Sequence, residues 1–249
     1  MIAAARPVQR PADAKLLAID AMGETSVVAR RHWTELLRPG DLVVANDAAT
    51  LAASLAGRHA PTGATIEVRL AGRASLDWDD VAFDAVLFGA GDWHMRTEDR
   101  PSPPPVFAGD TLALGPLTAR AAALLGHPRF VRLAFDGDAA STWAGIARHG
   151  RPVQYAHIAE PLRLWDVWTP IAGPPVAFEP PSAAFVLDWA ALRAIRAQGA
   201  MFATLTHAAG LSSTPRSMRA SPCPNPITCR RRPPMRSPAH GASSRSAPR

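Results

Sequence analysis

The sequence predicts a mixed α/β protein with a run of short β-strands in its middle. Hydrophobic residues make up 47% of the 249 residues, which is enough to build a globular core. Short strand-like runs alternate with Gly- and Pro-rich loops through the middle of the chain. Helical patterns with capping signals follow after residue 140. We therefore expect the middle segment to form a small barrel or sandwich, flanked by α/β structure.

The first segment predicts a hairpin, a helical turn and a buried strand, at residues 15–30, 33–37 and 42–45. Two aliphatic or β-branched runs flank a turn at 21–24, which is the pattern of a hairpin. The helical turn ends at the Arg-Pro-Gly-Asp sequence of 38–41. The apolar run that follows is too short for a helix, so we interpret it as a buried strand closed by Asn46 and Asp47.

The middle segment contains four more strand candidates, at residues 65–70, 81–88, 111–114 and 130–135. In the first of them apolar residues alternate strictly with Thr65, Glu67 and Arg69. That alternation predicts a strand with one face in the core and the other exposed to solvent.

Helical signals return in the last part of the body. Residues 141–149 predict a helix with Gly150 at its C-cap. After the Pro-rich loop 173–181, Asp188 is placed to cap a helix that shares one apolar face and ends at Gly199, the face being Trp189, Leu192 and Ile195. Residues 201–206 then predict a strand that leads into His207.

The basic charge is concentrated in the last 35 residues. The chain has a net charge of +6, but 8 of its 27 basic residues lie in 215–249 with no acid, which leaves 19 bases against 21 acids in 1–214. This Arg/Ser/Pro segment is expected to be disordered. It is either a basic RNA-binding arm or the product of a shifted reading frame, since 26 Arg and a single Lys indicate GC-rich coding DNA.

Several classes of protein are disfavoured. Both cysteines lie in the tail, so the body has neither a disulfide scaffold nor a cysteine-based zinc site. The chain has no P-loop, no complete G-x-G-x-x-G, no H-E-x-x-H and no G-x-S-x-G, and its histidines lack helical ligand spacing. We expect no metal, no prosthetic group and no membrane span or secretory signal, and hence a cytoplasmic protein that is a monomer.

Polar residues at predicted strand ends are the best site candidates. His207 follows the last strand, and Asn46 and Asp47 follow an earlier one; such positions face ligands in α/β folds, although a structural histidine and an Asx turn are equally good interpretations. Glu179 and Ser182 lie in a Pro-rich loop that either receives an anion or only leads into a helix. Arg148 and Arg151 either contact RNA phosphate or belong to a solvated surface. Trp165 and Trp168 either stack on a base or are core or interface residues.

Residues 36–47, which read Leu-Leu-Arg-Pro-Gly-Asp-Leu-Val-Val-Ala-Asn-Asp, resemble a signature of the S-adenosylmethionine:tRNA ribosyltransferase-isomerase family of queuosine biosynthesis. Further similar segments follow in the family's order, at 11–17, 62–68, 148–152, 181–184 and 206–211. The resemblance extends over residues 11–214. It identifies the chain as a divergent member that is expected to be truncated or frameshifted at its C-terminus.

The resemblance implies a fold and a reaction. The fold is a discontinuous α/β domain, residues 1–58 and 149–214, with an inserted antiparallel β-barrel domain at 59–148 and the disordered tail at 215–249. The reaction takes S-adenosylmethionine as co-substrate and moves its ribosyl moiety onto a 7-aminomethyl-7-deazaguanine base at the wobble position of tRNA. The product is epoxyqueuosine, with adenine and methionine released, and the anticodon arm of tRNA is the implied partner.

The resemblance also suggests roles. Asp47 or His207 is the candidate base, and substrate-binding roles fall to Asn46, Glu179, Ser182, Gly210 and Thr214, with RNA contacts from Arg148 and Arg151. The chain departs from the family where Thr-Arg usually follows Asn-Asp, since it has Ala48 and Ala49, and at 184–186, where Ala-Phe-Val replaces Gly-Leu-His. The alternatives are an inactive paralogue that binds a nucleoside or RNA, and a non-functional fragment.

Overall fold

The computed structural model describes residues 14–180, 182–208 and 210. The tail that the sequence predicts to be disordered, residues 215–249, lies outside them. The strands are β1 Lys15–Ile19, β2 Thr25–Ala29, β3 Leu42–Asn46, β4 Ala49–Thr50, β5 Ser54–His59, β6 Thr65–Gly72, β7 Ala82–Phe88, β8 Thr111–Leu114, β9 Leu117–Leu124, β10 Phe130–Phe135, β11 Pro175–Ala177 and β12 Met201–Leu205. The α-helices are α1 Ala139–His149, α2 Leu164–Val167 and α3 Trp189–Ala197, and 3-10 helices span Arg30–Leu36, Thr97–Asp99 and Ser182–Val186.

Strands β5 to β10 form a closed antiparallel barrel in the order β10-β7-β6-β5-β8-β9. The predicted small barrel is therefore confirmed, and the sandwich is excluded. The seam that closes the barrel joins β5 to β8 through two residue pairs, Arg58 with Ala113 and His59 with Leu112. Gly57 lies at this seam, where a Cβ would stand 2.2 Å from the carbonyl oxygen of Ala113. Only glycine lets the two backbones approach this closely.

The prediction of a half-exposed β6 is wrong, because β6 is buried on both faces from Ile66 to Gly72. The polar face, expected in solvent, is covered by the loop that follows β7. From that loop Arg100 ion-pairs with Glu67, which also accepts hydrogen bonds from Arg69 Nε at 2.7 Å and from the Ser54 hydroxyl at 2.8 Å. Burying charge is costly unless it is paired, and this pairing explains why the covered face keeps its alternating polar residues.

The N-terminal segment forms the predicted hairpin, with β1 antiparallel to β2. Its helical turn is the 3-10 helix Arg30–Leu36. The expectation that β3 is buried is wrong in part, since Leu42 is 54% exposed and Val44 51%. In the described part of the chain β3 pairs with β12 alone, in parallel, so it lies in a two-stranded sheet rather than in the interior of a larger one.

The helices confirm the capping predictions. Gly150 follows α1 as the predicted C-cap, and the N-cap, which was not predicted, is Asp138, whose Oδ1 accepts the backbone N–H of Ser141 at 2.7 Å. Asp188 caps α3 by accepting the N–H of Ala191 at 2.7 Å. The prediction of one apolar face on α3 is wrong for Trp189, which is 65% exposed while Ile195 is fully buried. Six residues at about 100° each place the two side chains about 120° apart around the helix.

The domain boundaries expected at 59 and 148 stay a prediction. The barrel strands run from Ser54 to Phe135, and α1 packs tightly on the start of β9: a Cβ on Gly145 would stand 2.4 Å from Leu117. Two short parallel strand pairs, β4 with β11 and β3 with β12, lie outside the barrel. Within the described ranges no helix is long and apolar enough to cross a membrane.

Candidate functional site

The carboxyl ends of β3 and β12 meet side by side, with Asn46 in register with Leu205. The Asn46 side chain joins the two strands beyond their last paired residues: its Nδ2 donates to the His207 carbonyl at 3.0 Å and its Oδ1 accepts the His207 N–H at 2.9 Å. The same oxygen accepts the N–H of Ala48 at 3.0 Å. Asn46 therefore extends the backbone ladder and fixes where His207 lies.

Asp47 is held from two sides. Its N–H donates to the Leu205 carbonyl at 2.9 Å, and its Oδ1 accepts the Thr206 hydroxyl at 2.7 Å. On the other side the N–H of Gly173 donates to the Asp47 carbonyl at 2.6 Å, and a Cβ on Gly173 would stand 3.2 Å from Oδ2. A carboxylate held this way has a fixed orientation, and the Asp47 site depends on a glycine more than a hundred residues away.

A cleft of about 450 Å³ opens between the β3 and β12 ends, the 3-10 helix Arg30–Leu36 and the segment 180–187. Its polar lining residues are Asn46 and His207, and Trp33 supplies an aromatic wall. The other lining residues are aliphatic or proline: Val43, Val44, Ala45, Pro180, Ala183, Ala184, Val186 and Leu187. The cleft can therefore receive a flat or apolar group next to one titratable imidazole. Asp47 is outside this lining, beside Gly173.

The structure brings together three of the predicted site residues, Asn46, Asp47 and His207. Glu179 accepts the hydroxyl of Tyr155 on its Oε1 at 2.5 Å, and its neighbour Pro180 lines the cleft. Ser182 begins the 3-10 helix Ser182–Val186 beside the cleft.

The remaining predicted residues are not among the described residues that line the cleft. Gly210 lies within the described residues, and Thr214 lies beyond them. Arg148 is exposed near the end of α1, and the guanidinium of Arg151 stacks over the Trp93 ring at 4.9 Å. Trp168 donates its Nε1–H to the Thr50 carbonyl at 2.9 Å, which is a packing role.

Sequence reasoning missed Trp33, Gly173 and Tyr155. Trp33 was assigned to a helical turn without a site role, and nothing local to Gly173 indicates its approach to Asp47. Tyr155 is the single tyrosine of the chain, which was a usable signal. Ala48 and Ala49, which follow Asp47 in the chain, are buried.

The described ranges contain no group of three or more His, Cys, Asp or Glu side chains arranged to hold a metal ion. His207 at the wall of the apolar cleft and the fixed carboxylate of Asp47 outside it are groups that can transfer a proton or position a polar ligand.

Comparison with known proteins supports the sequence resemblance. The profile of a family described as queuosine biosynthesis protein matches residues 1–223. A protein named S-adenosylmethionine:tRNA ribosyltransferase-isomerase from Synechococcus sp. (strain WH7803) is 30% identical over 221 residues, which are 84% of this chain and 56% of that protein. The chain thus spans little more than half the length of this relative.

Among solved structures, S-adenosylmethionine tRNA ribosyltransferase from Thermotoga maritima is similar at 17% sequence identity with a TM-score of 0.29. The match covers 83% of this chain and 54% of that one. The profile match over most of the chain and the 30% identity decide the assignment: the chain belongs to the queuosine biosynthesis protein family.

Proposed function

We propose that this protein is a tRNA-modifying transferase-isomerase, which moves the ribosyl moiety of S-adenosylmethionine onto a 7-aminomethyl-7-deazaguanine base in tRNA. The products are epoxyqueuosine in the tRNA, adenine and methionine. The observation that carries the proposal is the meeting of β3 and β12, which brings Asn46, Asp47 and His207 together beside an apolar cleft. Family membership supplies the reaction class.

The cleft suits the nucleoside part of such a co-substrate. Trp33 offers an aromatic face for an adenine ring, and the aliphatic residues around it exclude water. Among the described residues that line the cleft, none carries a carboxylate or a guanidinium, so a neutral ring meets no ion pair of theirs on entry. Asn46 is already engaged with the backbone of His207, and its role toward a ligand is to position that residue.

The reaction needs a base that removes a proton beside the sulfonium. We assign this role to His207, because it lines the cleft and both its backbone N–H and its carbonyl are hydrogen-bonded to the Asn46 side chain. Asp47 is outside the cleft lining and is bound by Thr206, so we assign it a positioning role that holds the end of β12 against the loop at Gly173. Glu179, Ser182, Gly210 and Thr214 remain proposed substrate-binding residues, and Arg148 and Arg151 remain proposed RNA contacts.

One observation favours a second candidate, a paralogue that binds a nucleoside or RNA without turnover. Ala48 and Ala49 are buried where the family usually has a hydroxyl and a guanidinium, and Val186 lines the cleft where it usually has a histidine. The site therefore offers fewer polar side chains for catalysis than the usual family sequence would.

Release of adenine and methionine from S-adenosylmethionine separates the two candidates. The full chain is incubated with S-adenosylmethionine and a tRNA that carries the 7-aminomethyl-7-deazaguanine base, and both products are quantified by chromatography. We expect His207→Gln to lower kcat about 100-fold or more, since a positioned base contributes about 10²–10⁴. His94→Gln, which changes an exposed histidine, is the matched control. Binding of both substrates by the wild type without any release supports the paralogue.

A further inference from the structure

A second cleft, of about 680 Å³, lies on the barrel between the proline-rich loop after residue 101 and the turn that joins β9 to β10. Its walls include Pro103, Pro104, Pro105 and Leu124, and its polar side chains come from Ser102, His127 and Arg129. It shares no lining residue with the cleft at β3 and β12. No carboxylate lines it, so a cationic wall faces the open volume without an acidic one.

The cation in this wall belongs to a group of three arginines around one ring. The guanidinium carbons of Arg69, Arg100 and Arg129 lie 4.7, 5.2 and 5.2 Å from the centre of the Phe88 ring. One buried carboxylate, Glu67, pairs with Arg69 and Arg100. The exposed carboxylate of Asp92 acts on Arg100 as well. Within the described residues Arg129 has no ion pair, which leaves the cluster with an excess of positive charge on the cleft side.

Among the described residues, the side chain of Arg129 donates hydrogen bonds only to neutral acceptors. Its Nη2 donates to the Arg100 carbonyl at 2.9 Å and to the Ser102 hydroxyl at 3.4 Å, a contact at the outer limit of a hydrogen bond. Its Nη1 is buried with no hydrogen-bond partner. Burial, with the positive charge of Arg100 beside it, lowers the pKa of Arg129. An anion in the cleft would offset both effects.

His127 adds a second donor. The backbone N–H of Arg129 donates to His127 Nδ1 at 3.1 Å, so the neutral ring carries its proton on Nε2. An imidazole N–H and a guanidinium two residues apart in one turn are donors of the kind that bind phosphate oxygens. The three prolines and Leu124, which is 52% exposed, give this anion site a flat apolar wall that suits a sugar or base.

We infer that this cleft binds a phosphodiester of an RNA strand, with Arg129 and His127 on the phosphate and the proline wall against the adjoining nucleoside. The choice of RNA rests on the proposed function, in which tRNA is the substrate. It is also favoured by charge: the 19 bases of residues 1–214 are outnumbered by 21 acids, so an acid-free cationic cleft is a local feature of an otherwise acidic body. This site is separate from Arg148 and Arg151, on which the sequence analysis placed RNA contacts.

The test measures binding of a labelled tRNA to the full chain by fluorescence anisotropy over a series of salt concentrations. Arg129→Gln is expected to weaken binding about tenfold, the value of one charge-assisted hydrogen bond, and to reduce the slope of log K against log salt by about 0.7. Arg129→Lys keeps the charge and should restore most of that slope. Arg120→Gln, which removes an exposed arginine paired with Asp136, is the control of equal charge.

A second pair of variants avoids the buried cluster. Leu124→Glu places a carboxylate at the rim of the cleft and should weaken tRNA binding at least about threefold by repulsion. Leu17→Glu makes the same change on the hairpin, where Leu17 is 65% exposed, and should leave binding unchanged. Both leucines are exposed, so this pair decides the question if Arg129→Gln does not fold.

The inference is overturned if Arg129→Gln and Leu124→Glu bind tRNA with the affinity and salt slope of their controls, or if the wild type binds no tRNA. It is also overturned if inorganic phosphate or poly-glutamate occupies the cleft without competing with tRNA. Adenine release is measured on the same samples. If the wild type releases adenine and the variants bind tRNA as their controls do, RNA binding at the cleft is refuted and the proposed function stands. If tRNA binding depends on the cleft residues but no adenine is released, the proposed function is refuted and RNA binding at the cleft stands.

Discussion

Glu67 is the residue whose removal should most damage the barrel without changing its shape. Its carboxylate is buried between Arg69 and Arg100 and accepts the Ser54 hydroxyl as well. Glu67→Gln keeps the side-chain volume and removes the one buried negative charge of the cluster, which leaves three guanidiniums around Phe88 without a buried counter-ion. Breaking a buried ion pair by removal of one partner costs about 3–5 kcal/mol.

The loss is large compared with the total stability of a domain, about 5–15 kcal/mol. At about 2–4 °C per kcal/mol for a protein of this size, Glu67→Gln should lower the Tm by about 6–20 °C. The assay is thermal unfolding followed by circular dichroism at neutral pH. Asp136→Asn, which breaks an exposed pair with Arg120 on the same barrel, is the control and should melt close to the wild type. A drop of less than about 2 °C for Glu67→Gln, or a drop equal to that of the control, would refute the reasoning.

The difference in Tm between the wild type and Glu67→Gln should change with pH in a defined direction. Burial works against the charged form of Glu67, but Arg69 and Arg100 outweigh it through charge and hydrogen bonds and hold the pKa of Glu67 below its ordinary 4.5. A carboxylate with a lowered folded pKa contributes its full stability above the unfolded pKa and loses it as the pH falls through the folded pKa. The gap in Tm between wild type and Glu67→Gln should therefore be constant from about pH 8 to about pH 5.5 and shrink below about pH 4.

Three further changes test the site and the seam. Asn46→Ala removes the hydrogen bonds that join β3 to the residue after β12, and we expect a loss of about 1–3 kcal/mol in the free energy of unfolding, measured by urea denaturation. Thr206→Val frees Asp47 and should lower kcat for adenine release about three- to tenfold while the Tm changes little; an unchanged kcat would show that Asp47 needs no such support. Gly57→Ala places a methyl group 2.2 Å from a β8 carbonyl and should destabilise the barrel by about 3 kcal/mol, whereas the exposed Ala56→Ser should not; equal urea midpoints would contradict the closure of the barrel at this seam.

Some features of the candidate site are visible in the sequence around each residue, and others depend on contacts between distant segments. Asn46 and Asp47 come directly after an apolar run, and His207 follows another, so the position of each at a strand end is visible in the sequence. The parallel pairing of β3 with β12 joins residues about 160 positions apart, and the register that puts Asn46 against Leu205 has no local signature. For the same reason Gly173, which approaches Asp47 from a distant loop, could not be predicted.

Two strands of the barrel were missed for a related reason. β9, with the sequence Leu-Thr-Ala-Arg-Ala-Ala-Ala-Leu, is rich in alanine, which has little β-propensity, and it is a strand because β8 and β10 pair with it on both sides. β5 contains Gly57, whose lack of a side chain weakens a strand pattern but is required at the seam. In both strands tertiary contacts outweigh local propensity.

The sequence by itself determined the elements whose causes are local: the hairpin β1–β2, the Gly150 cap at the end of α1, the Asp188 cap at the start of α3, and the strand ends that carry Asn46, Asp47 and His207. Burial was decided by tertiary structure alone. Alternation predicts which residues share a face of β6, but the loop that brings Arg100 over Glu67 decides that both faces are buried. Likewise β3 is as apolar as a buried strand, yet Leu42 and Val44 are about half exposed, and Val44 lies in the wall of the open cleft. Periodicity is a property of neighbours in the chain, whereas coverage depends on segments that are distant in sequence.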